Sequence, residues 1–334
     1  MTAPVRIAVL GCADIARRRM LPAFAAGERT ELVAVAARDR RRAEETARPY
    51  GCRAVEGYTA VLEDESVEAV YVPLPAALHA EWTEAALRAG KHVLAEKPLT
   101  TDRHRTGRLL ELARERGLAL MENVMFVHHP QHAVVRKLLA DGTIGELRSL
   151  RAEFTVPRRP EDDIRYRPEL GGGALWDTGV YPVRAALHYL GSELAVAGAV
   201  LTDDPRHGVD VSGAALLSTP DGVTAQLAFG LDHGYRSVCE LVGSRGRIVL
   251  DRAFTPAADH VPRLRIECGT GSEELCLDPY DQVAGTVEAF AGAVRAGTVP
   301  DGHACLRQAD LLEEILGRSR GRADAGPTRR DGGP

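Results

Sequence analysis

Two side chains in this sequence can deliver a proton to an oxygen atom, and the first is Lys97. It follows an apolar stretch typical of a strand, His92–Leu94, within the run Ala-Glu-Lys-Pro-Leu. The carboxyl end of a parallel strand is where ligands bind in open α/β sheets. An ammonium group there polarises a carbonyl and supplies a proton as hydride reaches the carbon. We therefore predict that Lys97 is catalytic in the interconversion of a carbonyl and an alcohol.

Tyr181 is the second such group, and it lies in the run Asp-Thr-Gly-Val-Tyr. A predicted helix, Trp176–Leu190, places Asp177 and Tyr181 on one side, because residues four apart share a helix face. Tyr181 can then hydrogen-bond the reacting oxygen as a second catalytic residue, while Asp177 binds a substrate hydroxyl. Two points stay open: whether Lys97 or Tyr181 donates the proton, and whether the Asp–Tyr pair only ties the helix to a sheet.

A glycine-rich turn near the amino terminus provides a site for a dinucleotide pyrophosphate. It separates a short apolar strand from a helix that we expect Asp14 to cap and that runs to about Ala26. Backbone N–H groups at the start of such a helix bind phosphate. The predicted cofactor contacts along this turn are Gly11, Cys12, Ala13, Asp14 and Ile15.

The end of the second predicted strand distinguishes between the two nicotinamide cofactors. NAD sites usually place Asp or Glu there to bind the ribose 2′-hydroxyl, but this chain has Ala37 and Arg38. Arg38 can pair with a 2′-phosphate, while Asp39 suits a helix cap. We therefore predict NADP(H), with Ala37 and Arg38 among its contacts. The alternative is that these arginines simply begin a solvated helix.

Other residues complete the predicted pocket. Pro73 and Leu74 follow another strand, and together with His79 on the next helix they are expected to shape the nicotinamide site. Arg165 and Tyr166 precede a triplet of glycines and are predicted to bind substrate. Arg165 can hold a diphosphate by bidentate hydrogen bonds; its alternative role is that of a solvated loop arginine.

We predict neither a metal site nor a disulfide. His128, His129 and His132 are close in sequence, but no carboxylate ligand accompanies them at a suitable spacing. The six cysteines contain no Cys-x-x-Cys pair. Cysteines scattered in this way indicate reduced thiols.

The overall composition argues against several classes of protein. A length of 334 residues allows two domains, and a net charge of −5 does not favour a polyanionic partner such as nucleic acid. The amino-terminal residues lack the layout of a signal peptide, and no stretch is apolar enough to span a bilayer. We expect a cytoplasmic protein that binds neither nucleic acid nor membranes.

Two patterns of predicted elements define the fold class. Strands and helices alternate strictly up to residue 123, which predicts a parallel sheet with helices on both faces. Residues 124–317 contain long alternating strands, typical of an open, mainly antiparallel sheet. We therefore predict an α/β Rossmann dinucleotide-binding domain over residues 1–123 and an α+β substrate-binding domain over 124–317. Residues 318–334 have few apolar side chains and are expected to be a disordered tail. The predicted strands of the first domain are Arg6–Leu10, Thr30–Ala36, Val67–Val72, His92–Glu96 and Leu118–Glu122.

The motifs together resemble those of the glucose–fructose oxidoreductase, inositol dehydrogenase and rhizopine-catabolism (Gfo/Idh/MocA) family, and the resemblance extends to about Gly317. It implies that Glu96 and Lys97 contact the cofactor and that Asn123 contacts the substrate. It also implies homodimers or homotetramers that form through the open faces of the large sheets. The motifs that carry it are the glycine turn at Gly11, Glu96-Lys97-Pro98 and Asp177-x-Gly179-x-Tyr181.

Within that family, the chain looks most like actinomycete sugar 3-ketoreductases of deoxysugar biosynthesis. This resemblance implies NADPH-dependent reduction of the C3 ketone of a TDP-linked 3,4-diketo-2,6-dideoxyhexose. One alternative is an NADP-dependent dehydrogenase of free sugars, inositols or trans-dihydrodiols. Another is a non-catalytic sugar-sensing regulator, against which the presence of both Lys97 and Tyr181 argues. The matching segments are Gly-Cys-Ala-Asp-Ile-Ala at 11–16, Tyr-Val-Pro-Leu-Pro-Ala at 71–76, Met-Glu-Asn at 121–123, His-His-Pro-Gln-His at 128–132 and Asp-Ile-Arg-Tyr at 163–166.

Overall fold

The strands of this chain form two sheets, which a computed structural model describes over residues 3–269 and 271–323. The first sheet contains β1 (Val5–Leu10), β2 (Thr30–Ala37), β3 (Arg53–Glu56), β4 (Ala69–Val72), β5 (His92–Glu96) and β6 (Leu120–Asn123). The helices that alternate with these strands are α1 (Leu21–Ala26), α2 (Arg40–Ala47), α3 (Thr59–Leu62), α4 (Ala76–Arg88) and α5 (Arg103–Glu115).

The first sheet is parallel, with the strand order β3-β2-β1-β4-β5-β6. All four residues of β4 are buried, because helices cover both faces of the sheet. The order reverses between β1 and β4, where doubly wound sheets bind ligands at the carboxyl ends of their strands. The predicted Rossmann domain is confirmed. Strand β3 was not predicted, since it is a four-residue edge strand with polar ends.

The first helical segment begins differently from the prediction. Residues Ala16–Met20 form a π-helical turn that leads into α1, and no side chain caps it. The carboxylate of Asp14 instead accepts a hydrogen bond from Arg17 at 2.9 Å. Pro22 lies in the first turn of α1, where its missing N–H costs little. The predicted cap at Asp39 is present, and it accepts from the backbone N–H of Arg42 at 3.2 Å.

The second sheet has the strand order β14-β13-β12-β11-β7-β10-β9-β8. Neighbours pair antiparallel except β7 and β10, which run parallel, so the predicted open, mainly antiparallel sheet is confirmed. Helices α7 and α9 cover one face. The elements of this half are α6 (Pro130–Ala140), β7 (Leu147–Thr155), α7 (Val180–Leu190), β8 (Ala195–Asp204), β9 (Val209–Ser218), β10 (Thr224–Gly230), β11 (Arg236–Gly243), β12 (Gly246–Asp251), β13 (Arg263–Cys268), β14 (Gly271–Cys276), α8 (Gln282–Ala296) and α9 (His303–Ala323).

The last two helices depart from the predicted boundaries. Helix α8 packs against β1 and α1, so this part of the second predicted domain completes the core of the first. Helix α9 continues to Ala323, six residues into the predicted tail. Arg318 pairs there with Glu314 at 3.5 Å, which supports the added turns. Residues 324–334 lie outside the described part of the chain. None of the described helices combines the length and apolar character that crossing a membrane requires.

Candidate active site

A cleft of about 1390 Å³ lies between the two halves of the molecule, and we call it the central cleft. Its floor is the carboxyl edge of the first sheet, and its other wall comes from β7, the segment 157–172 and the start of α7. The predicted site residues that line it are Gly11, Cys12, Ala13, Asp14, Ile15, Ala37, Arg38, Pro73, Leu74, His79, Glu96, Lys97, Asn123, Arg165, Asp177 and Tyr181.

Tyr166 is the predicted site residue that the structure places elsewhere. Its side chain is buried, and its ring stacks on His207 with centroids 4.9 Å apart. Its hydroxyl accepts a hydrogen bond from the backbone N–H of Arg159 at 3.1 Å. Tyr166 therefore does not line the central cleft, where a substrate contact was predicted: the residue anchors the segment that carries Arg165.

Lys97 projects into the central cleft from the turn after β5, where the Lys97–Pro98 peptide bond is cis. Its Nζ donates hydrogen bonds to Asp177, to Oδ1 at 2.7 Å and to the backbone oxygen at 2.8 Å. Burial disfavours the charged ammonium, but the Asp177 carboxylate outweighs it, so the pKa of Lys97 lies above its ordinary value. Lys97 is therefore a charged, oriented donor at neutral pH.

Asp177 lies between two cations. Besides Lys97 at Oδ1, it accepts from Arg165 Nε at 2.6 Å through Oδ2, and Arg165 also contacts Asp163 at 3.1 Å. Burial favours the neutral acid, but Arg165 and Lys97 together hold the pKa of Asp177 well below its ordinary value. The sequence did not predict these partners. Because Arg165 and Asp177 are bound to other protein groups, they line the central cleft as parts of a hydrogen-bonded network and not as two free side chains.

Tyr181 forms the wall beside Lys97. The ammonium nitrogen is 5.2 Å from the centroid of the Tyr181 ring, and the ring packs on Phe154 with centroids 4.6 Å apart. Burial raises the pKa of Tyr181, and the opposing effect of Lys97 does not overcome it. Tyr181 is therefore a neutral hydroxyl donor at neutral pH, next to the charged donor at Lys97.

A second polar group lies at the carboxyl ends of β5 and β6. Glu96 Oε1 accepts hydrogen bonds from the Tyr71 hydroxyl and from Asn123 Nδ2, both at 2.6 Å. Asn123 is 2% exposed, and its Oδ1 has no partner among the described residues. A buried amide oxygen without a partner is costly. Its position on the central cleft therefore suits a ligand with an N–H donor, such as a carboxamide.

His79 holds two of the turns that line the central cleft. Its ring nitrogens contact the backbone oxygens of Pro98 at 2.7 Å and Leu74 at 2.6 Å. Burial lowers the pKa of His79, although both oxygens favour the protonated ring. Gly11 has φ +123°, and an added Cβ would approach Leu74 within 3.0 Å. The turn after β4 thus packs directly on the glycine turn, as the predicted pyrophosphate and nicotinamide sites require.

Arginine side chains surround the end of β2. Arg38 and Arg42 both line the central cleft, and Arg42 donates to the Cys12 backbone oxygen at 3.3 Å. Neither has an ion-pair partner among the described residues, whereas Arg40 pairs with Glu44 at 2.9 Å. The sequence analysis missed Arg42. Its position three residues after the Asp39 cap, where the first helical turn brings it back towards the glycine turn, is the signal that could have found it.

The described residues contain neither a group of metal ligands nor a disulfide bond. No group of three or more His, Cys, Asp or Glu side chains there could hold a metal ion. His132 instead contacts the Ala253 backbone oxygen at 2.8 Å and the Tyr189 hydroxyl at 2.6 Å. The cysteines are all free.

Family comparisons agree with this geometry. Residues 5–124 match an oxidoreductase family with an NAD-binding Rossmann fold, and residues 132–249 match the GFO/IDH/MocA C-terminal domain. This chain belongs to the GFO/IDH/MocA family. The first match contains the whole parallel sheet, so the lysine of Glu-Lys-Pro occupies the cofactor edge of a GFO/IDH/MocA fold.

Several GFO/IDH/MocA relatives are similar over nearly their whole length. A dTDP-3,4-didehydro-2,6-dideoxy-alpha-D-glucose 3-reductase from Streptomyces violaceoruber is 56% identical over 93% of this chain and 94% of its own. The crystal structure of a 3-ketoreductase from Actinomadura kijaniata, in complex with NADP and TDP-benzene, is 52% identical. It has a TM-score of 0.92 over 94% of this chain and 98% of that one. A D-xylose 1-dehydrogenase (NADP(+)) from Haloferax volcanii is 35% identical over 87% of this chain.

Proposed function

We propose that this protein is an NADPH-dependent 3-ketoreductase that reduces the C3 ketone of a dTDP-linked 3,4-diketo-2,6-dideoxyhexose. The observation that carries the proposal is the near full-length identity of 52–56% to reductases of that substrate. The NADP-dependent xylose dehydrogenase is more distant, at 35%. Oxidation of free sugars, inositols or dihydrodiols is therefore the weaker candidate.

The described residues fit NADP(H). The unpartnered Asn123 oxygen suits the carboxamide of the nicotinamide, and the tight approach of Gly11 to Leu74 suits a pyrophosphate turn. Arg38 and Arg42 would hold the 2′-phosphate. Neither guanidinium group has a carboxylate partner among the described residues, so both are available to pair with a phosphate. When bound, the cofactor supplies the hydride. We assign this binding role to residues 1–123 and the substrate role to residues 124–317.

Lys97 is the proton donor in this proposal. An ammonium nitrogen has three hydrogens, and Asp177 engages two of them. The third can reach a ketone oxygen in the central cleft, polarise it and then protonate the new alkoxide. Asp177 and Arg165 keep the ammonium charged and oriented. Tyr181 donates a hydrogen bond to the same oxygen and excludes water from its other side.

Turnover with defined substrates tests the proposed function. For the proposed reaction, the oxidation of NADPH would be followed at 340 nm with the dTDP-diketo sugar prepared in situ. For the dehydrogenase alternatives, the reduction of NADP(+) would be followed with D-xylose, an inositol and a dihydrodiol. We expect reduction of the dTDP sugar alone, with a product reduced at C3. Oxidation of a free sugar would favour the dehydrogenase. Binding of NADPH without turnover of any of these substrates would favour a sensor.

We further propose that the protein is a homo-oligomer formed through the open face of the second sheet. The last two strands of this sheet, β9 and β8, carry apolar side chains that solvent reaches, Val200 at 52% and Leu216 at 42% exposure. They lie in a shallow depression that Arg151, Glu153 and Glu240 flank with both signs of charge. Such a surface can pair with a second copy of itself.

A further inference from the structure

We propose that Glu122, Arg184 and Gln308 form a positioning cluster that fixes Lys97 relative to Asp177 and Tyr181. The inference rests on the proposed function, because it assigns to that reaction a set of buried residues that do not line the central cleft. Nothing in the catalytic contacts described above uses these side chains. We call them the Glu122–Arg184–Gln308 cluster.

The cluster joins three elements around one carboxylate. Glu122, on β6, accepts hydrogen bonds at Oε1 from the Leu99 backbone N–H at 2.9 Å and from Gln308 Nε2 at 2.8 Å. Its Oε2 accepts from Arg184 on α7. Arg184 Nε then donates to Gln308 Oε1 at 2.8 Å, which closes a ring of contacts with α9. The side chains of Glu122 and Arg184 are 2% and 10% exposed.

The segments that carry Lys97 and Tyr181 are both hydrogen-bonded to the Glu122 carboxylate. Leu99 lies two residues after Lys97, so its bond to Glu122 fixes the turn that carries the ammonium. Arg184 lies three residues after Tyr181 on the same helix, a rise of about 4.5 Å at 1.5 Å per residue. Glu122 therefore connects the loop of the first sheet to the helix of the second, on the side away from the substrate.

The energetics favour a geometric role over a stabilising one. Buried ion pairs repay their desolvation only when their remaining polar groups are satisfied, and apolar side chains of similar volume are often equally stable. Both Glu122 oxygens accept hydrogen bonds here, and each bond has a direction. A misplacement of about 1 Å between reacting groups can cost about 100-fold in rate. A directional link between the two donor segments is what such a reaction requires.

Lysine NMR provides a test that does not depend on turnover. The chain has three lysines, Lys91, Lys97 and Lys137, so ¹³Cε-lysine labelling gives three signals that single substitutions assign. The Tyr181 ring lies 5.2 Å from Lys97 Nζ, and its ring current makes the Lys97 shift sensitive to their separation. The variants are Glu122→Gln, which keeps the acceptor for Leu99, and Arg184→Met, with the double variant E122Q/R184M.

We expect the Lys97 signal to move in each folded variant while the Lys91 and Lys137 signals stay. The kcat should fall by about tenfold or more with the KM for NADPH within about twofold, because binding groups are untouched. The double variant should show the same changes in the Lys97 signal and in kcat as the single variants, because each of them breaks the same connection between the Lys97 turn and α7. The control is Arg307→Met on α9, whose guanidinium contacts the Ser192 backbone oxygen at 3.0 Å instead; it should leave Lys97 unchanged.

An unchanged Lys97 signal in folded Glu122→Gln and Arg184→Met overturns the inference, and so does a fall in kcat matched by an equal rise in KM. If Arg184→Met does not fold, as shown by circular dichroism, Glu122→Gln and Gln308→Leu decide the question. Wild-type protein that reduces no keto-sugar contradicts the proposed function alone, because the NMR result is obtained without substrate or cofactor.

Discussion

Lys97 and Tyr181 differ in charge, and this difference decides their roles at the residue scale. Burial lowers the pKa of the Lys97 ammonium, but the Asp177 carboxylate opposes this effect and the pKa lies above its ordinary value. For the Tyr181 hydroxyl, burial itself raises the pKa. In the proposed reaction, only the ammonium would bring a positive charge to the oxygen that becomes negative as hydride arrives. The charged donor should therefore contribute more to the reaction than the neutral one.

Substitution of the two donors separates their contributions. We expect Lys97→Met to lower kcat by about 10²- to 10⁴-fold, the usual effect of losing a general acid, and Tyr181→Phe to lower it less. Steady-state turnover with NADPH measures both, and Lys137→Met, an exposed lysine paired with Asp141 at 2.6 Å, is the control. A larger loss in Tyr181→Phe would exchange the two roles.

Arg38 should determine the preference for NADPH. Because Arg38 has no carboxylate partner within residues 3–269 and 271–323 and lines the central cleft at the end of β2, we expect Arg38→Ala to raise the KM for NADPH by about tenfold or more while the KM for NADH stays nearly constant. Arg41→Ala, three residues further on in the first turn of α2, is the control, since Arg41 does not line that cleft. Equal effects on both cofactors would refute the 2′-phosphate role.

Almost all of the site residues predicted from the sequence line the central cleft, but few of their partners were predicted. Strand ends and helix starts follow from hydrophobic period and capping, so Gly11, Arg38 and Lys97 could be placed. Tyr166 could not, because its orientation depends on stacking with His207, which is distant in sequence. The pairing of Asp177 with Lys97 likewise requires two segments 80 residues apart to meet.

At the scale of elements, two of the helices beside the central cleft begin with π-helical turns. One is Ala16–Met20 before α1, and the other is Leu175–Gly179 before α7. Such turns occur often at functional sites. They were not predicted, because apolar spacing defines a helix but does not show an added residue in one turn. Their effect is local: the second one carries Asp177 into the cleft.

Asp210 on β9 holds the start of the second turn. Its Oδ2 accepts from the Leu175 backbone N–H at 2.7 Å. Gly173, with φ +118°, lets the chain pass directly over this carboxylate, where a Cβ would collide with it. Burial, with a smaller contribution from Asp203, raises the pKa of Asp210 from 3.8 to about 6. The helix that bears Tyr181 thus begins on a titratable group.

The stability of this helix start should depend on pH. Between about pH 4 and 6 the folded protein holds a proton on Asp210 that the unfolded chain has lost, so this residue's contribution to stability falls as pH rises. We expect Asp210→Asn to gain up to about 3 kcal/mol relative to wild type across that interval, at 1.36 kcal/mol per pKa unit, and nothing further above it.

Urea unfolding at several pH values measures this trend. Asn keeps an acceptor oxygen for the Leu175 N–H, so the variant changes the charge more than the contact. Asp259→Asn, at an exposed carboxyl, is the control and should show no such trend. A constant difference between wild type and Asp210→Asn from pH 4.5 to 7.5 would contradict the expectation.

At the scale of the whole molecule, the two sheets were predictable from the alternation of elements, but the boundary between the domains was not. The order of elements along the sequence assigns α8 to the second domain, yet Val287 and Phe290 belong to the core of the first domain. Amphipathic spacing shows that a helix has an apolar face; it does not show which sheet that face covers. Similar reasoning explains why the end of α9 extended past Gly317.

The open face of the second sheet should hold copies of the chain together. Leu216→Arg adds a charge in the apolar depression of this face, so we expect size-exclusion chromatography with light scattering to show a smaller assembly. The control is Val261→Arg, at a valine 43% exposed outside the sheet. A wild-type protein that elutes as a single chain, or a Leu216→Arg variant of unchanged size, would contradict this mode of assembly.

The return of α8 to the first sheet has a consequence for synthesis on the ribosome. Val5 and Phe24 are translated before the helix that shields them from water, which contains Val287 and Phe290. The nucleotide-binding half cannot bury its own apolar surface while the nascent chain is short. Maturation of the cofactor pocket must then wait until α8 has been translated, and a product truncated before α8 would present an apolar surface to chaperones.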